Sequence, residues 1–219
     1  MKKPIDLYEE NNNLDNLNVD ILLNNIEFEK GNVYSIIARL NIEKNHTIAR
    51  MIASNLALKG MRVLYINIDE VELSEMLETC LSGHEMVFDF DNDCLWCKNE
   101  YVTMRKLILT TYDFDKIPTN YDLYIIDYFQ AIKSPRNRKY ISQKLQEFAK
   151  SRQVPIIVLS HLPQSVELRK NKIPRVTDMT KKMCGDLRKV SKTIIALYSD
   201  GFYGIRDNID KTMHFYIYN

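Results

Sequence analysis

Asp127 and His161 are the residues through which this sequence first suggests chemistry. Each ends an apolar run: LYIID at 123–127 and PIIVLSH at 155–161. Such runs read as strands buried on both faces of a parallel sheet. Their last residues then lie at the carboxyl edge of that sheet, where open α/β folds keep their active groups. A carboxylate there can hold a hydrated divalent cation. An imidazole can donate a hydrogen bond and, when protonated, add positive charge. A third point lies after an earlier strand, where the turn ARLNIEKN (38–45) leads into a helix with Lys44 at its start. Backbone N–H groups at a helix N-terminus attract anions, and a lysine adds charge.

The elements that would position these groups alternate along the chain. Strand patterns cover Val33–Ala38, Val63–Ile68, Met86–Phe90, Leu123–Asp127, Pro155–Ser160, Thr193–Tyr198 and Met213–Tyr218. Helical patterns cover Lys44–Lys59, with Gly60 as its closing residue, a stretch reaching about Leu81, Glu100–Thr110 and Tyr140–Ser151. This order predicts an α/β fold, a mostly parallel central sheet with helices on both faces. Residues 1–20, rich in Asn and Asp, read as a loose arm or short packing segment, and 21–219 as a single domain.

At 219 residues the chain suffices for one sizeable core. Its net charge of +1 announces no global attraction to nucleic acid, so any such site must be local. No apolar run approaches a membrane span of roughly 18 residues, and the N-terminus lacks the apolar segment of a signal peptide. The expectation is a cytoplasmic protein without membrane contact. Of the four cysteines, Cys94 and Cys97 have CxxC spacing, with Cys80 and His84 upstream. A structural zinc wants four ligands, and no second pair stands at the usual spacing, so zinc is not expected.

Three segments carry a family resemblance: YDLYIIDYFQAI (121–132), KYISQKLQEFAKSRQVPIIVLSH (139–161) and LPQSVELRKNKIPRVTD (162–178). In order and spacing they resemble the motor domain of the DnaB family of bacterial replicative helicases. The resemblance implies a RecA-like P-loop NTPase fold, a Mg²⁺ and ATP site, hexamer formation and ATP-driven DNA unwinding. Carried over residue by residue, it makes Arg39, Glu43, Lys44, Asn45 and Gln130 nucleotide-binding positions. It gives Asp127 the Mg²⁺, through water, and makes Asp69 the residue that orients the attacking water, while His161 falls where the γ-phosphate sensor belongs. Arg169, Lys170, Lys172 and Arg175 fall on a loop that faces single-stranded DNA. A second basic cluster, Lys133, Arg136, Arg138 and Lys139, precedes the helix at Tyr140.

The phosphate loop departs from the family pattern. Glu43 replaces the glycine before the lysine, Asn45 the hydroxyl residue after it and Leu40 a proline. A like charge about 4 Å from phosphate costs roughly 4 kcal/mol at an effective dielectric near 20. Asp69 is one methylene shorter than the family's glutamate, His161 stands for a glutamine, and no basic pair follows the strand ending at Tyr218. The expectation is a DnaB-like protein of DNA replication with a degenerate Walker A loop. Its ATPase and helicase activity is weak or lost, and it acts by binding DNA, a replication protein or copies of itself. Two alternatives stand beside it: a divergent ATPase completed by DNA or a partner subunit, and a small metal or thiol module on Cys80, Cys94 and Cys97.

Overall fold

The computed structural model describes residues 5–9, 19–39, 44–68, 86–89, 94–97, 102–106, 114–199 and 213–219. Its strands are β1 (Ile5–Glu9), β2 (Val33–Arg39), β3 (Val63–Asn67), β4 (Met86–Asp89), β5 (Cys94–Cys97), β6 (Val102–Lys106), β7 (Leu123–Asp127), β8 (Ile156–Leu162), β9 (Ser191–Ser199) and β10 (Met213–Tyr218). Helices are α1 (Asp20–Leu23), α2 (Lys44–Leu58), α3 (Arg138–Arg152), α4 (Lys181–Cys184) and α5 (Leu187–Val190). The strands form one sheet in the order β1-β10-β9-β2-β8-β7-β3-β6-β5-β4. The six from β9 to β6 are parallel, and antiparallel strands close both edges.

The apolar runs behave as strands covered on both sides, and their side chains alternate between two cores. Tyr34, Ile36, Val63, Tyr65, Leu123, Ile125, Ile157 and Leu159 face α2, which presents Ile48, Ala49, Ile52, Ala53 and Leu56. Val33, Ile37, Leu64, Ile66, Tyr124, Ile126, Ile156 and Val158 face the other layer, with Ile141, Leu145, Phe148 and Ala149 of α3 and Leu187 of α5. Gly60, at φ +87°, ends α2 and lets Met61 N–H return to the Leu56 carbonyl at 3.1 Å. Asn137 caps α3 by accepting from Tyr140 N–H at 3.2 Å.

One expectation changes. Glu100–Thr110, expected as a helix, contains the strand Val102–Lys106, paired in parallel with β3. A five-residue stretch with Val and Thr takes its conformation from a long-range partner rather than from its own period. Within residues 1–20, expected as a loose arm or short packing segment, Ile5–Glu9 form an edge strand on β10. Among the described residues no helix is long and apolar enough to cross a membrane.

Candidate functional site

Register brings the polar strand ends together. In β2 and β8, Ala38 pairs with His161 and Arg39 with Leu162; in β3 and β7, Asn67 pairs with Asp127. Asp127 is 1% exposed. Its Oδ2 accepts the Tyr65 hydroxyl at 2.5 Å and contacts His46 Nδ1 at 2.5 Å. Tyr65 is two residues before Asn67 on β3, so it shares the α2-facing side of the sheet with Asp127. His46 reaches the same oxygen from the first turn of α2. Asp127 Oδ1 is buried and has no hydrogen-bond partner among the described residues.

His161 adjoins this group. Its ring centroid lies 4.5 Å from that of Tyr128 and 6.3 Å from that of His46. Gln130 fixes the local backbone: its Nε2 donates to Ser160 Oγ at 2.9 Å, to the His161 carbonyl at 3.1 Å and to the Met183 carbonyl at 3.3 Å, and its Oε1 accepts from His161 N–H at 3.2 Å. Gln130 thus ties β8 to α4. Burial pushes the neighbouring Cys184 thiol up, so it stays protonated; it donates to the His161 carbonyl at 3.8 Å.

Arg39 turns to the loop after β8. It is 1% exposed, forms an ion pair with Glu167 and donates from Nη1 to the Gln164 carbonyl at 3.3 Å. Arg169 closes the same loop: its Nη1 and Nη2 make a bidentate contact with Asp178 at 2.9 and 3.0 Å, and Nη2 also donates to the Ile173 carbonyl at 3.0 Å. Lys170 and Arg175 are exposed, and Lys172 is half-buried. The backbones of Lys44 and Asn45 open α2, while Glu43 and Asp69 lie outside the described residues, as do Cys80 and His84.

The fold also gathers cations that are apart in sequence. A cavity of about 670 Å³ beside Gln130 is lined by Lys133, Arg136, Arg138, Lys181 and Lys182. An adjoining cavity of about 380 Å³ adds Lys139, Lys189, Gly185 and Asp186. Arg138 is held by the Phe129 and Ile132 carbonyls at 3.3 and 3.5 Å, and Arg136 lies 4.5 Å over the Tyr140 ring. Lys189 reaches Asp186 at 3.4 Å. The N-terminus of α3 opens here as well, so its dipole adds to the field of the side chains. The sequence showed the cluster at 133–139. Lys181, Lys182 and Lys189 join it only through the contact of α4 and α5 with α3.

Magnesium fits the described part of this site poorly. It demands hard oxygen ligands in near-octahedral geometry. Asp127 Oδ2 already holds two partners, one of them an imidazole, and Asn45 replaces a compact hydroxyl in the sequence. Among the described residues no group of three His, Cys, Asp or Glu side chains is placed to hold a metal ion.

Comparison with known proteins agrees with the fold. The family model of the DnaB-like helicase C-terminal domain matches residues 16–218. The chain is 28% identical over 160 residues to a probable replicative DNA helicase of Guillardia theta, covering 68% of this chain and 25% of that protein. It is 32% identical over 99 residues to the replicative DNA helicase DnaB of Geobacillus stearothermophilus, covering 42% of this chain and 21% of that one. It therefore spans about a quarter or less of the length of these relatives. Its fold matches a solved ATPase domain with a TM-score of 0.64 at 17% identity, over 82% of this chain and 74% of that one. It also matches a DnaB-like replicative helicase, described together with its interactions with primase, with a TM-score of 0.61 at 19% identity, over 82% of this chain and 50% of that one.

Proposed function

The chain belongs to the DnaB-like helicase C-terminal domain family, and from that premise we propose that it binds single-stranded DNA through the basic cavity beside Gln130 while hydrolysing ATP weakly or not at all. The cavity is the observation that carries the first half. Five cations line one concave wall in a chain whose net charge is only +1. Strand phosphates are recognised by such a local field without reading sequence. The loop with Lys170, Lys172 and Arg175 supplies further basic contacts in this reading.

The second half rests on Asp127. A carboxylate engaged by Tyr65 and His46 is not poised to order a hydrated cation. The alternative, a divergent ATPase completed by DNA or a partner subunit, draws on one observation: Asp127 Oδ1 is buried without a partner among the described residues. Rearrangement of His46 on partner binding would leave the carboxylate with the Tyr65 hydroxyl as its one remaining partner among the described residues. A replication protein or a second copy of the chain is the protein partner this reading proposes, in the cytoplasm.

Fluorescence anisotropy with a labelled single-stranded oligonucleotide tests the DNA reading. About five phosphate contacts predict that log K falls with log salt at a slope of roughly −3.5. Absence of binding at low salt, or binding indifferent to salt, contradicts it.

A further inference from the structure

We propose that His46 covers the Asp127 carboxylate in place of a divalent cation, so that this chain binds a nucleoside triphosphate at the N-terminal end of α2 without magnesium. The inference rests on reading that end of the sheet as the nucleotide site of the family. It concerns what the residues of this chain have made of that site.

Three observations converge. Asp127 is 1% exposed, while the His46 side chain is 22% exposed. The imidazole is thus more open to solution than the carboxylate it contacts. Nδ1 of His46 and the hydroxyl of Tyr65 converge on a single oxygen of Asp127, each at 2.5 Å. An entering cation would have to displace one of two short hydrogen bonds or settle for Oδ1 alone. His46 also belongs to the turn of α2 that Lys44 opens, and that turn has no acidic residue. The amides that would meet a phosphate chain and the ring that contacts the carboxylate therefore come from one helical turn.

A phosphate chain beside an uncovered carboxylate is repelled by it, and a bound cation normally removes that repulsion. In this chain a side-chain donor on the carboxylate performs the screening. The donor belongs to the helix, so the site is prepared before any ligand arrives and no ion needs to be recruited. The same arrangement leaves Asp127 without the cation that would help polarise the terminal phosphate. Binding without turnover follows.

Calorimetric titration of the full chain with ATPγS, in excess EDTA and then in excess Mg²⁺, tests the proposal. Saturable binding is expected in EDTA, with Kd shifting less than about threefold when Mg²⁺ is added. His46→Ala uncovers the carboxylate; its affinity in EDTA is expected to fall at least about tenfold and to return with Mg²⁺. His46→Gln keeps an N–H donor and is expected to keep binding in EDTA, which serves if the alanine variant folds poorly. Wild-type binding that needs Mg²⁺ overturns the proposal. So does the absence of saturable binding in both buffers from folded protein, or a His46→Gln variant that binds only with Mg²⁺. Oligonucleotide binding measured on the same preparation separates this failure from failure of the DNA reading, because that reading uses α3 and α4 rather than α2.

Discussion

Gly185→Ala is expected to destabilise the fold by roughly 3 kcal/mol or more, the sum of backbone strain and overpacking. Gly185 follows α4 at φ +56° and ψ −127°, a conformation that residues with a Cβ rarely adopt. A Cβ built there runs into the Arg138 carbonyl oxygen and lies 2.5 Å from its carbon and 2.9 Å from Lys139 N. All three are backbone atoms of the first turn of α3, so no side-chain rotation relieves the contact. The turn itself is held by the Asn137 cap, and Asp186 N–H, one residue on, donates to Ser142 Oγ of the same helix at 3.0 Å. Gly60→Ala is the comparison. It carries a similarly positive φ of +87° but meets nothing within 4 Å. Strain alone is expected there, about 1 kcal/mol. Urea midpoints for the two variants measure the difference. Equal midpoints would contradict the close seating of α4 and α5 on α3, and with it the shape of the basic cavity.

Reversing charge at Lys181 and Lys182 together is expected to lower single-stranded DNA affinity on the order of ten- to a hundredfold at low salt and to flatten the salt slope by about 1.4. Both side chains are exposed on the cavity wall, so stability should change by no more than about 0.5 kcal/mol. Lys170→Glu with Arg175→Glu is the matched control. Those residues lie on the loop after β8, whose shape is fixed by the Arg169–Asp178 contact rather than by the exposed cations. A smaller loss is expected from the loop pair. A larger loss from that pair would move the DNA path from the cavity to the loop.

These two expectations rest on contacts of unequal visibility in the sequence. Asp127 and His161 were legible because each ends a long apolar run, and burial on both faces leaves few other readings for such runs. The basic cluster at 133–139 was legible as composition. Its other wall was not, because Lys181 and Lys182 approach it only when α4 packs on α3. His46 stood two residues after Lys44 without any pattern to mark it. Its partner Asp127 is 81 residues away, and only the closing of β7 against β3 beneath α2 brings them together. Arg39 shows the same limit in reverse. The family resemblance makes it a nucleotide-binding position, and the fold pairs it with Glu167, 128 residues on. Local sequence sets where a strand ends, and long-range packing sets what its last side chain meets.

The most direct test of the account is single-turnover hydrolysis of Mg²⁺·ATP at saturating single-stranded DNA, with wild type beside Asp127→Asn. A carboxylate covered by His46 and Tyr65 predicts hydrolysis in the wild type no faster than in the variant, with DNA bound in both. DNA-stimulated hydrolysis in the wild type that disappears in Asp127→Asn would contradict the account and make this chain a working motor.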